Sequence, residues 1–124
     1  MDSYIEQILS TNMGTRKEAI KGIVEDPNNK QFIDELKKIL ETGPTYAKLD
    51  ALSAYGRIID KEDIDYLLTF LKHRDWHMRI EAIRCLCSLL GEDAIELITP
   101  FLEDKAYGVR SEVQELINKY QKSL

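Results

Sequence analysis

The sequence predicts an all-α protein, a right-handed α-solenoid of four two-helix repeats of about 31 residues each. Three observations predict it. Apolar residues return at a constant step, as Ile5, Leu36, Leu67 and Ile98, with Leu9, Leu40, Leu71 and Leu102 in the same register. A second row runs Arg16, Lys48, Arg79 and Arg110, each followed three residues later by Ala19, Ala51, Ala82 or Val113. Helix breakers stand where paired helices must turn, at Pro27-Asn28-Asn29, Gly43-Pro44 and Gly91.

The first helix of each repeat is expected over 2–10, 30–42, 62–73 and 92–103, with helical apolar spacing such as Ile64, Leu67, Leu68 and Leu71. The second helices are expected over 14–26, 45–59, 77–90 and 107–121, which places the repeats at 1–29, 30–60, 61–91 and 92–124 of one domain. Pro100 falls inside the last first-type helix and is expected to kink it, because it removes a backbone donor.

The second helix of the third repeat is apolar on two sides. Met78, Ala82, Cys85, Leu86 and Leu89 form one, expected against the partner helix. Ile80, Ile83, Cys87 and Leu90 form the other, expected against a neighbouring repeat, with Leu49, Leu52 and Ile59 or Ile20 and Val24 at the corresponding places of the second and first repeats. In the fourth repeat these places hold Ser111, Gln114, Asn118 and Gln121. Burying such groups without partners costs about 1–3 kcal/mol each, so the fourth repeat reads as a cap.

Composition narrows the function classes. With 44% hydrophobic and 31% charged residues among 124, the chain suits a folded globular domain that needs neither disulfides nor a structural metal. A formal charge of -5 disfavours nucleic acid and anionic lipid, both of which require a basic footprint, and makes a basic partner the better match. Met1-Asp2-Ser3-Tyr4 carries no basic leader and no long apolar run follows, so no signal peptide or spanning helix is expected and a cytoplasmic location follows. Cys85 and Cys87, two apart on a helix, point in different directions and are expected as free thiols.

Two stretches carry a resemblance. Phe101-Leu102-Glu103-Asp104 is followed by Val109-Arg110 and Val113, and Leu71 through Asp75 by Met78-Arg79, Ala82, Leu86 and Leu90-Gly91. On these residues the chain resembles short HEAT-like repeats, in particular those of the phycobilisome-lyase type. The resemblance implies the fold. It leaves the activity open, since such repeats occur in scaffolds, bilin lyases, a di-iron hydroxylase and, more distantly, DNA glycosylases.

Candidate sites follow from the same register. Arg79 and Arg110 lie in or beside the apolar arc of their helices and are expected to form a structural ladder with Asp75, Asp104 or helix-end carbonyls, because a buried charge needs a partner. An acid stands two residues after each member of the arginine row, as Glu18, Asp50, Glu81 and Glu112, in the first turn of every second helix, where the helix dipole favours it. With Lys21, Arg57, His77, Arg84, Ser88 and Glu115 these acids make the polar arc that lines the concave surface in HEAT-like solenoids. Trp76 and Tyr107 occupy equivalent places at the start of their helices and are candidate interface anchors. The partner-binding candidates are thus Asp50, Arg57, Trp76, His77, Glu81, Arg84, Tyr107 and Glu112.

The chemical alternatives find less support. His73 and His77 have zinc-like spacing, but Arg74-Asp75-Trp76 reads as the turn between helices, and neither histidine is followed by the glutamate that the hydroxylase branch uses. No metal or other cofactor is expected. Cys85 and Cys87 sit among apolar neighbours where a thiolate is disfavoured. The expected function is a non-catalytic module, monomeric, that binds a protein or peptide on its concave face and is not an enzyme. The alternative is a bilin-lyase-like component that holds a tetrapyrrole in the groove.

Overall fold

The computed structural model describes residues 3–121, and among them it is all-α, with no strand. Residues 1, 2 and 122–124, which include the first residue of the first expected helix, lie outside the described part. The chain divides between Ile59 and Asp60 into two compact units. The first holds α1 (Tyr4–Ile8), α2 (Met13–Glu25), α3 (Ile33–Thr42) and α4 (Thr45–Ile58). The second holds α5 (Asp65–Thr69), α6 (Trp76–Leu90), α7 (Ile95–Ile98) and α8 (Tyr107–Tyr120).

The second-type helices α2, α4, α6 and α8 start and end within one residue of their expected bounds, because local chemistry marks their starts. Asn12 Oδ1 accepts the Thr15 N–H at 2.9 Å and Asp75 Oδ1 accepts the His77 N–H at 2.9 Å, each satisfying a donor that the first turn leaves open. Pro44 precedes α4 with φ −70°, an extended residue that ends the preceding helix and starts the next. Gly91 closes α6 at φ +59°, a backbone region where a side chain is strained, and donates its N–H to Cys87 O.

The first-type helices are more broken than the periodicity suggests. In the second unit, 3₁₀ turns at Lys61–Asp63 and Phe70–Lys72 flank α5, and others at Gly91–Ala94 and Thr99–Glu103 flank α7. Pro100 therefore does not kink one long helix. It sits at the start of a 3₁₀ turn, and the same change of helix type occurs at Phe70 without any proline. A shared cause is the threonine at the switch: Thr69 Oγ1 donates to Tyr66 O at 2.6 Å and Thr99 Oγ1 to Ile95 O at 2.7 Å, back-bonding that competes with the α ladder.

Each unit buries the recurring register. Ile5, Leu36, Leu67 and Ile98 are buried, and Ala19, Ala51, Ala82 and Val113 are inaccessible, so small residues let neighbouring helices approach at the same place in every pair. The second leucine row divides: Leu40 and Leu71 are buried, Leu102 is half-buried and Leu9 is exposed. A fully buried aliphatic side chain contributes roughly 1.5–3 kcal/mol. In the first unit α1 packs on α2, α3 on α4, and α2 on α4; in the second, α6 packs on α8. Second-type helices thus lie side by side within each unit. On α6, Ile80, Ile83 and Cys87 are buried and Leu90 is half-buried. Leu52 and Ile59 are buried at the corresponding places, whereas Leu49, Ile20 and Val24 remain partly accessible. On α8, Ser111 is half-buried, and Gln114, Asn118 and Gln121 face solvent, with Gln114 Nε2 donating to Asn118 Oδ1 at 3.2 Å.

Candidate binding surface

The arginine row is tied to the turns between paired helices. Arg16, Arg79 and Arg110 each send Nη1 to the carbonyl six residues earlier, on Ser10 (2.9 Å), His73 (2.7 Å) and Asp104 (2.7 Å). Those carbonyls terminate the first-type helices and have no further turn to accept from. At the remaining place of the row, Lys48 offers a point charge in place of the planar fork.

Two of these arginines also hold a buried carboxylate from the next helix pair of the same unit. Arg79 Nε and Nη2 meet both oxygens of Asp104 at 2.9 Å, and the two side chains are 6% and 7% exposed. Burial pushes the Asp104 pKa up, but the Arg79 hydrogen bonds, the Ala106 N–H and the charges of Arg79 and Lys105 outweigh it and leave the group below the usual carboxylate range. Arg16 Nε meets Asp50 Oδ2 at 2.7 Å, and Lys17 Nζ takes the other oxygen at 2.8 Å. Of the expected ladder, Arg79 and Arg110 converge on Asp104, one on its carboxylate and one on its carbonyl. Asp75 lies apart from them. It caps α6 and meets His77 Nδ1 at 2.9 Å, and its pKa is lowered first by the His77 backbone N–H and then by the ring.

The acid row does not form a line of solvated carboxylates. Glu18 is exposed, but Asp50 is buried between Arg16 and Lys17, and Glu81 is buried with its Oε2 accepting from Cys85 Sγ at 3.6 Å. Glu112 is half-buried and forks with Arg84, Nε to Oε2 at 2.8 Å and Nη2 to Oε1 at 3.0 Å. That pairing lowers the Glu112 pKa and raises the already high pKa of Arg84. Equal places in the repeat therefore carry unequal electrostatics, since each acid meets different neighbours.

The aromatic candidates remain accessible. Trp76 is 39% exposed, stacks on the His77 ring with centroids 3.8 Å apart, and rests on the backbone of Gly108. Tyr107 is 74% exposed, with the Arg110 guanidinium carbon 5.7 Å from its ring centre. In the first unit, exposed Arg57 donates Nη1 to Ser53 O at 2.9 Å and to Ser53 Oγ at 2.7 Å. It borders a cleft of about 350 Å³ between α2 and α4, lined also by Lys17, Ile20, Lys21, Val24 and Glu25. The repeat register puts Lys21 and Arg57 on this face and Ile20 and Val24 at packing places, and it gives Lys17 no role. The missed signal is the pair of i,i+4 spacings, Lys17 with Lys21 and Ile20 with Val24, which puts cations beside apolar groups on one helix face.

Among the described residues no cluster of three His, Cys, Asp or Glu is arranged to hold a metal ion. His73 Nδ1 accepts the Asp75 N–H at 3.0 Å and His77 Nδ1 is engaged by the Asp75 carboxylate, so both rings serve the turn that starts α6. Cys85 and Cys87 are buried free thiols, and burial, followed by the nearby Glu112 charge, pushes Cys87 up to about 11. No helix among the described residues is long and apolar enough to cross a membrane.

A family model for HEAT repeats matches residues 33–118, and the chain belongs to that family. HEAT repeats are generally protein-interaction scaffolds. No curated protein and no solved structure matches the chain.

Proposed function

We propose that the chain is a non-catalytic interaction module that holds a protein or peptide segment on the surface made by its second-type helices. In this reading the chain is a right-handed solenoid of four repeats, bounded at 29/30, 60/61 and 91/92, and the protein works as a monomer in the cytoplasm. The observation that supports it is the pair of accessible aromatics at equivalent helix starts. Trp76 rests on Gly108 and stacks on His77 while 39% exposed, and Tyr107, 74% exposed, holds the equivalent place at the start of the next second-type helix. Rigid, accessible aromatic surface is what interface anchors are made of.

The acid row supports a basic partner less than its spacing suggests, because Asp50 and Glu112 already have cationic partners within the chain. Their fields are largely cancelled locally. Photo-crosslinking tests the reading: p-benzoylphenylalanine is placed at Tyr107, and at Asp34 on α3 as a first-type control. The expected result is a discrete partner captured from position 107 and not from 34, identified by mass spectrometry and lost on Trp76→Ala. Equal capture from both positions, or none from 107, sinks the reading. Saturable uptake of added biliverdin with visible absorbance would move the assignment to the lyase-like alternative.

A further inference from the structure

The arginine row has a geometry that is completed at Arg16 and Arg79 and left open at Arg110. Arg79 donates Nη1 to His73 O, six residues earlier, and turns its other edge, Nε and Nη2, to the Asp104 carboxylate. Arg16 likewise donates Nη1 to Ser10 O and Nε to Asp50 Oδ2. Arg110 makes the same first bond, Nη1 to Asp104 O at 2.7 Å, but among the described residues no carboxylate meets its Nε and Nη2. Asp104 gives both carboxylate oxygens to Arg79, Glu112 forks with Arg84, and the exposed Glu103 and Glu115 make no ion pair. Among the described residues no buried side-chain nitrogen or oxygen lacks a partner, so this edge of the half-buried Arg110 opens to solvent. The guanidinium is already held at Nη1 and lies 5.7 Å from the Tyr107 ring centre, which leaves it less freedom to lose when a ligand arrives.

We infer that the Nε and Nη2 edge of Arg110 takes an Asp or Glu side chain of a partner protein as a two-point fork, with an apolar neighbour of that acid lying on Tyr107. The inference rests on the interaction-module reading and names the chemistry of one contact. The two forks made within this unit both hold a carboxylate. Arg79 does so buried, and Arg84 does so with Glu112 at 2.8 and 3.0 Å although its side chain is 47% exposed, so the pairing also forms at half-solvated places. The acid has to come from something other than a further packed helix pair, because the side of α8 that carries Ser111, Gln114, Asn118 and Gln121 is polar and would bury groups without partners. Tyr107, 74% exposed, supplies apolar surface next to the charge.

Panning a random peptide display library on the full chain tests it. The selected peptides should carry Asp or Glu beside an apolar residue, and a synthetic copy should shift the Arg110 Nε–H resonance. Replacing that acid by its amide should weaken binding about tenfold, as should Arg110→Gln with the original peptide, since a charge-assisted fork is lost in each case. Making both changes should cost little more than either alone, because they remove the same contact. Arg110→Lys keeps the charge without the planar fork and should restore only part of the affinity. Circular dichroism checks that the variants fold; should R110Q misfold, the amide copy and the Nε–H shift carry the test on the wild type. Selected peptides without an acid, additive losses, or acidic peptides that bind R110Q as tightly as the wild type overturn the inference while leaving a peptide-binding module in place. A library that yields no binder also overturns it, and capture of one partner from position 107 by both the wild type and R110Q would then keep the module reading alone.

Discussion

Trp76 lies directly on the backbone of Gly108: a Cβ at position 108 would stand 2.6 Å from the indole Cζ3, closer than carbon atoms approach. The indole therefore uses the absence of a side chain on α8 to settle between two helix starts of the second unit. Tyr4 does the same over Gly22 in the first unit, where a Cβ would meet the ring at 2.4 Å.

Gly108→Ala should displace the indole. Because Trp76 is the one tryptophan of the chain, its emission reports this site alone and should move to longer wavelength as the ring loses its support. Alanine also favours the helix by up to about 1 kcal/mol, so the melting temperature should change little or rise. An unchanged spectrum would show that the ring is not held by this contact.

Asp104→Asn should cost far more than Arg84→Ala. The first leaves the Arg79 guanidinium buried without its counter-charge, a loss of about 3–5 kcal/mol. The second removes a pair whose arginine side chain is 47% exposed, where solvent screening limits the loss to under about 1 kcal/mol. Denaturant midpoints compared at equal m-values check the order. Similar losses for both variants would mean that Asp104 is solvated in solution.

Acid should destabilise the fold through a small group of carboxylates. Asp75, Asp104 and Glu112 have folded pKa values below their unfolded ones. Each therefore contributes stability that is complete above the unfolded values of about 3.9 for Asp and 4.3 for Glu and is lost as pH falls through the folded value. From these three groups, stability should be level between about pH 7 and pH 5 and decline progressively below about pH 4. Urea midpoints across this range should show it, and the decline should be shallower in Asp104→Asn. A decline of unchanged slope in that variant would remove Asp104 from the account.

Gln114→Leu with Gln121→Leu should make α8 adhesive. Both glutamines are exposed, and replacing them lays apolar surface beside the face that α6 uses for packing. Sedimentation velocity should show concentration-dependent association of the double variant and none of the wild type. A variant that stays monomeric at high concentration would mean that this side of α8 is not shaped for stacking.

Much of the architecture is legible in the residues alone. The constant step that carries Leu36 to Leu67, the alanines three places after the arginine row, and the breakers Pro27-Asn28-Asn29, Gly43-Pro44 and Gly91 are local or periodic signals. They place the four long helices to within one residue, because helix starts depend on side chains only two or three positions away. The site is legible in part: the register puts Lys21, Arg57, Trp76 and Tyr107 on second-type helices, but it cannot say what each one touches.

Helical class, pairing period and the positions open to burial follow from spacing along one chain segment, so the residues alone specify them. The state of charges that share a place in the repeat depends instead on packing between helices. Asp50 and Glu112 are equivalent by register. Yet Asp50 is buried between Arg16 and Lys17, whereas Glu112 forks with a half-solvated Arg84. A charge takes its energy from whatever lies within a few ångströms, and those neighbours come from residues about thirty positions away, brought close only when one helix pair packs on the next.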